Sequence, residues 1–149
     1  MRRELPALAG QLTIDRGNNV TGQSSNYDDV KQYRLDSERE QELLHSAGEC
    51  TFIWANKAGH PIGVTTAYVP ANGKIWMTAT RERVRIKAIA RDGRSSIVIT
   101  STGTSMGGGK TVTYKGHTVI HDDPEIKHWM YNLLAQGMVA AERADEDNE

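Results

Sequence analysis

Three short runs between positions 50 and 79 decide the fold: Cys50–Ala55 (CTFIWA), Ile62–Val69 (IGVTTAYV) and Lys74–Ala79 (KIWMTA). Each is rich in β-branched and aromatic residues, which suit a pleated, half-buried surface, and each ends at a turn signal. Asn56-Lys57-Ala58-Gly59 separates the first pair and Pro70-Ala71-Asn72-Gly73 the second. Connections this short join antiparallel neighbours, because a parallel return needs about a dozen residues or more. Two further strands are predicted downstream, Ser95–Thr100 and Thr111–His121, the latter with Gly116 at an expected bulge or bend. Five or so short strands in this arrangement suggest a barrel or a sandwich.

Helical patterns flank and interrupt these strands. Arg81–Arg91 is rich in helix formers and is stopped by Asp92-Gly93. Asp123-Pro124 pairs a cap with a first-turn proline, and Ile126, Trp129, Met130, Leu133 and Leu134 then fall at i, i+3, i+4, i+7 and i+8, a core-facing stripe. Upstream, Ser37-Glu38-Arg39-Glu40 fits a capping box, opening a short helix toward Gly48 that buries Leu43, Leu44 and Ala47. Residues 1–36 hold no sustained period and read as an irregular polar extension; 144–149 form an acidic tail. The domain proper is expected over 37–143.

At 149 residues the chain has the size of one domain. A net charge of −1 gives no global attraction to nucleic acid or acidic membranes. Cys50, the only cysteine, excludes an intramolecular disulfide, and no apolar run is long enough to span a bilayer. Met1-Arg2-Arg3 is not followed by a signal-type apolar stretch, so the expected location is the cytoplasm, where the acceptor-like Asn19-Val20-Thr21 stays unmodified.

Chemistry concentrates in one basic segment. Arg81, Arg83, Arg85, Lys87, Arg91 and Arg94 are six of the 18 Lys and Arg residues, offset locally only by Glu82 and Asp92. A strand-to-helix corner carrying guanidinium forks and free amides suits a phosphate. A solvated charged helix face and a nucleic-acid patch are the alternatives, the second disfavoured because no aromatic residue interleaves with the cations. The glycine run Gly103-Thr104-Ser105-Met106-Gly107-Gly108-Gly109-Lys110-Thr111 is not a Walker loop: Thr104 stands where the first glycine belongs, and a strand rather than a helix follows. It reads as a flexible loop that could cover a pocket. His117 and His121 lie about 13 Å apart along an extended strand, too far to share a metal ion. No nucleophilic triad can be assembled; Tyr68, Tyr114 and His60 have the chemistry of proton donors but fit structural roles better.

The order of elements completes the reading: helix, strands around Gly59-His60-Pro61, the strand Ile75-Trp76-Met77-Thr78, the basic run Thr80 to Asp92, Arg91-Asp92-Gly93-Arg94, and the late strand and helix entry Tyr114 to Glu125. Over residues 37–135 this order resembles the pyridoxamine 5'-phosphate oxidase-like family and its deazaflavin-dependent members. The resemblance implies a mainly β fold with α, an antiparallel split β-barrel with flanking helices, assembled as a homodimer with shared cofactor sites. It implies FMN or the deazaflavin coenzyme F-420, and an oxidoreductase passing hydride to or from a small organic substrate, or a carrier of such a ligand. By position, Ile62, Gly63, Val64, Thr65 and Thr66 would run beside the ring, Met77 and Thr78 would lie near the ribityl chain, and Arg83, Arg85 and Lys87 would hold the phosphate. Gly93 departs from the proline of many members. The Arg-x-His with which the true oxidases hold their substrate is also missing from the end of the chain, so pyridoxamine phosphate is not the expected substrate.

Overall fold

The computed structural model describes residues 7–12 and 33–146, in the order β1 (Ala7–Leu12), α1 (Ser37–Ser46), β2 (Glu49–Ala55), β3 (Pro61–Ala67), β4 (Val69–Ala71), β5 (Lys74–Thr80), α2 (Val84–Arg91), β6 (Arg94–Thr100), β7 (Thr111–His121) and α3 (Pro124–Glu146). All strand pairs are antiparallel, in the order β3-β2-β6-β7-β1-β5-β4. The architecture is therefore mixed, dominated by antiparallel strands, with three helices among the described residues.

Chain connectivity shows how this sheet curves. β3 and β4 are its two outer strands, yet only Tyr68 separates them in sequence. A single residue spans only about 7 Å between its neighbours, so the sheet must curve enough to bring the end of β3 next to the start of β4. β3 also approaches β5 without pairing to it, and the hydrogen-bond ladder does not close. The long strand β7 links the two halves: Thr111–His117 pair with β6, and Thr118–His121 pair with β1. It runs through Gly116 in continuous register opposite Ser95, so of the bulge or bend expected there the bulge is absent.

Alternation builds the interior. Cys50, Phe52 and Trp54 of β2 and Ser95, Ile97 and Ile99 of β6 point inward, where they meet Leu43 and Leu44 of α1 and Ala88 and Ile89 of α2. β5 is buried on both faces: Ile75 and Met77 face this main core, while Trp76 faces Met130, Ile126, Trp129 and Leu134 of α3. The Trp76 and Trp129 rings meet edge to face, with centroids 4.9 Å apart, and the Trp76 indole donates to the Ala71 carbonyl at 3.1 Å. The α3 stripe is thus a packing surface. Asn72 and Gly73, both at positive φ, form the two-residue turn that closes the β4–β5 hairpin.

Several sequence expectations change. Ala7–Leu12, read as part of an irregular extension, is a sheet strand held by β5 on one side and β7 on the other. The rest of that extension before Tyr33, with Asn19, lies outside the described residues, as does 147–149. The first helix is capped by Asp36, not Ser37: the Asp36 carboxylate accepts the Arg39 amide at 2.8 Å. Ile62–Val69 splits at Tyr68, whose hydroxyl donates to the Leu44 carbonyl at 2.6 Å. The second helix begins at Val84 rather than Arg81, and the third continues to Glu146 through the start of the acidic tail. The Asp123 cap holds as expected, accepting the amides of Glu125 and Ile126 at 2.8 and 3.2 Å. None of the described helices is long and apolar enough to cross a membrane.

Candidate functional site

Three residues carry the chain from β5 into α2. Arg83 sits at the N-cap in extended conformation, its amide bonded to the Thr80 carbonyl at 3.1 Å. Its side chain makes no capping bond, and no acidic residue occupies the first turn. The positive end of the helix therefore has neither the cap nor the carboxylate that ordinarily offsets it.

The six cations of the basic segment divide into two groups. Asp122 accepts from Arg81 at 2.5 Å and from Lys127 at 2.9 Å, tying the end of β5 to the start of α3. Asp92 takes Arg94 in a two-pronged contact of 2.7 and 3.1 Å. Hydrogen bonds from Arg94 hold the Asp92 carboxyl down at about 2, and those from Lys127 and Arg81 lower that of Asp122. Arg83, Arg85, Lys87 and Arg91 form no ion pair among the described residues. Arg85 is half-buried; burial, then the charge of Arg83, pushes its pKa down from the usual arginine value. An arginine nevertheless stays protonated at physiological pH, so this corner keeps charge that folding does not neutralise.

Below Arg85 is a cavity of about 30 Å3, room for roughly two water molecules. It brings together four residues predicted from sequence: Thr66, Met77, Thr78 and Arg85. Val64 and Ile62 share the inward face of β3 but do not line the cavity; Val64 packs on the main core and Ile62 is 39% exposed. Gly63 and Thr65 point to the other face of the strand, and Arg83 and Lys87 lie exposed on α2. Sequence reasoning missed Phe52, Ala79, Ile86, Ile89, Thr118 and Ile120, which complete the lining. Thr118 and Ile120 follow from the period-2 alternation of β7 with buried Tyr114. The Thr118 hydroxyl is 2.7 Å from that of Ser95, which fixes both.

The candidate proton donors lie elsewhere. Tyr114 donates to the Glu40 carboxylate at 3.0 Å and Tyr68 to the Leu44 carbonyl, both from buried positions. Desolvation, then the nearby Cys50, raises the pKa of Tyr68 above the ordinary phenol value. His60 is exposed at the β2–β3 turn, where its amide donates to the Asn56 side chain at 2.9 Å. The glycine-rich segment is anchored rather than free: Met106 is buried in the main core, buried Ser101 accepts the Lys110 amide at 3.0 Å, and the Lys110 ammonium donates to the Met106 carbonyl at 2.8 Å. No protein-family description, curated protein or solved structure matches the chain.

Proposed function

We propose that the chain is a split-barrel protein that binds FMN or the deazaflavin coenzyme F-420 and acts as an oxidoreductase on a small organic substrate, with a second copy completing each cofactor site. The observation that carries this reading is the uncapped start of α2 beside Arg83 and Arg85, cations with no carboxylate partner among the described residues. A phosphate there would meet first-turn amides and guanidinium donors together. Thr66, Met77 and Thr78 adjoin the same corner, as a cofactor extending from its phosphate along β5 and β3 requires.

The ring end needs more cover than one chain offers. The cavity is far smaller than a flavin ring, and β3 pairs only with β2, leaving one strand edge open. That edge strand, Pro61–Ala67, contains no charged residue and has a proline only at its first position, so most of its length lacks the charge or proline that ordinarily protects an edge. A second copy seated over β3 would cover both that edge and the ring site. A bound ring would supply hydride transfer; Arg83 and Arg85 would hold the phosphate, and Phe52, Met77 and Ile120 would exclude water beside it. One observation favours a carrier as the second reading: among the described residues Arg85 is the only ionisable one lining the cavity, and none of them adjoins it as a proton donor.

The test is titration of the purified chain with FMN and with F-420, alongside Arg85→Glu. Losing a charged hydrogen bond costs about 1.5–3 kcal/mol, so Kd should rise at least about tenfold in the variant. Equal affinity in the two proteins, or binding of neither cofactor by the parent, overturns the proposal. Reoxidation of the reduced complex by added organic acceptors separates enzyme from carrier, and light scattering reads the assembly state.

A further inference from the structure

A groove of about 330 Å3 opens on the outer face of β3, β2 and β6, where α1 leads into β2 and β6 runs into the glycine-rich loop. That volume falls within the range of small-molecule sites. Thr51, Thr65 and Val98 form its floor, with Ser46–Glu49, Thr100 and Thr102–Thr104 as walls. Thr65 and Thr66 are successive residues of β3, and Thr66 lines the Arg85 cavity. The groove and the basic corner therefore lie on opposite faces of one strand.

The polar groups of the groove differ in how far the protein satisfies them. On the walls, the Thr100 and Thr102 hydroxyls bond each other at 3.1 Å, Thr104 donates to the Ser101 carbonyl at 2.8 Å, and Ser46 donates to the Glu42 carbonyl at 2.7 Å. The floor is different. Thr51 and Thr65 stand directly opposite in the β2–β3 ladder, and neither hydroxyl has a partner among the described residues. Glu49, two residues before Thr51 on the same face, has no ion pair among them. Among the described residues it is the only charged side chain lining the groove, since the buried Cys50 thiol stays neutral.

We propose that this groove binds a small hydroxylated organic cation of monosaccharide size, with an ammonium group on Glu49 and hydroxyls on Thr51 and Thr65. An anion would meet an uncompensated carboxylate, and an apolar molecule would strip water from two hydroxyls without replacing it. The proposal is independent of cofactor binding.

Glucosamine, glucose and glucuronate serve as matched probes, titrated into the isotope-labelled full chain at mildly acidic pH, where the amine is protonated. Glucosamine should give saturable amide shifts confined to Glu49–Thr51, Thr65 and Thr100–Thr104; glucose should bind more weakly and glucuronate not at all. Glu49→Gln should weaken glucosamine about fivefold, the scale of an exposed ion pair, leaving glucose unchanged, while Thr65→Val should weaken both. Arg85→Glu should leave every response intact, which separates this site from the cofactor corner. Scattered or absent shifts, equal binding of glucosamine and glucuronate, or a glucosamine response untouched in a well-dispersed Glu49→Gln spectrum each overturn the proposal.

Discussion

Gly93→Ala is expected to loosen the contact that holds α2 against β7. A β-carbon at position 93 would sit 2.8 Å from the Thr118 carbonyl oxygen and 3.5 Å from the His117 ring. The Gly93 carbonyl meanwhile accepts the Thr118 amide at 2.8 Å. Its φ is not positive, so glycine is required for closeness and not for conformation. The obstructing atom belongs to a paired strand, so no side chain can swing aside. Overpacking of this kind costs about 1–3 kcal/mol, and weakening one backbone hydrogen bond adds about 0.5–1.5 kcal/mol. A total near 2–4 kcal/mol, at roughly 2–4 °C per kcal/mol for a chain this long, lowers Tm by about 5–15 °C. The matched control is Gly108→Ala, where nothing lies within 4 Å and φ is ordinary. That change should leave Tm level or raise it, by restricting the unfolded chain. Calorimetry on the three proteins decides the matter. A parent-like Tm for Gly93→Ala, or an equal fall in both variants, refutes the close-approach argument.

Leu43, fully buried between α1 and the sheet, should lose about 2–5 kcal/mol of stability on truncation to alanine, read from urea unfolding; a loss under 1 kcal/mol would contradict its place in the core. Burial, reinforced by the charge of Glu49, pushes the Cys50 thiol up to about 12, so a disulfide reagent at mildly alkaline pH should label the chain only after denaturant is added. Because folding favours the protonated thiol, that stabilisation is full below the ordinary thiol pKa and fades as pH climbs toward 12. Asp92 and Asp122 work in the opposite sense: their lowered pKa values contribute stability that is present above the ordinary carboxylate range and is lost as pH falls below it, for Asp92 toward about 2. Asp92→Asn and Asp122→Asn should therefore each flatten the acid limb of Tm against pH, and an unchanged slope in both would contradict the ion pairing.

Where neighbouring residues alone decide the outcome, the sequence was legible. Phe52 and Trp54 alternate with half-buried residues, Asn72-Gly73 demands a tight turn, and Asp123-Pro124 starts a helix wherever it stands before an apolar stripe. Illegible features depend on distant partners. Ala7–Leu12 (ALAGQL) has no alternation and little β-preference; it is a strand because β5 and β7 present pairing edges to it. Ile62–Val69 reads as one strand in any local window, and the break comes from Tyr68 reaching a carbonyl 24 residues upstream. Asp36 and Ser37 are both good caps, and position relative to the third helical amide chose between them.

The same distinction governs the basic segment, and it explains why counting cations there misleads. Arg94 is neutralised by a residue two positions away, a pairing that local sequence makes plausible. Arg81 is neutralised by Asp122, 41 positions away, and no local reading could have removed it from the candidate list. Asp122 binds Lys127 as well, so the end of β5 is tied to the entrance of α3. α2 begins three residues after Arg81. The cations left without a carboxylate, Arg83, Arg85, Lys87 and Arg91, all lie on α2 or its cap. Two of them flank its uncapped first turn. Helix field and side-chain charge thus reinforce each other at one point, a placement that favours an anion more than a solvated face would require.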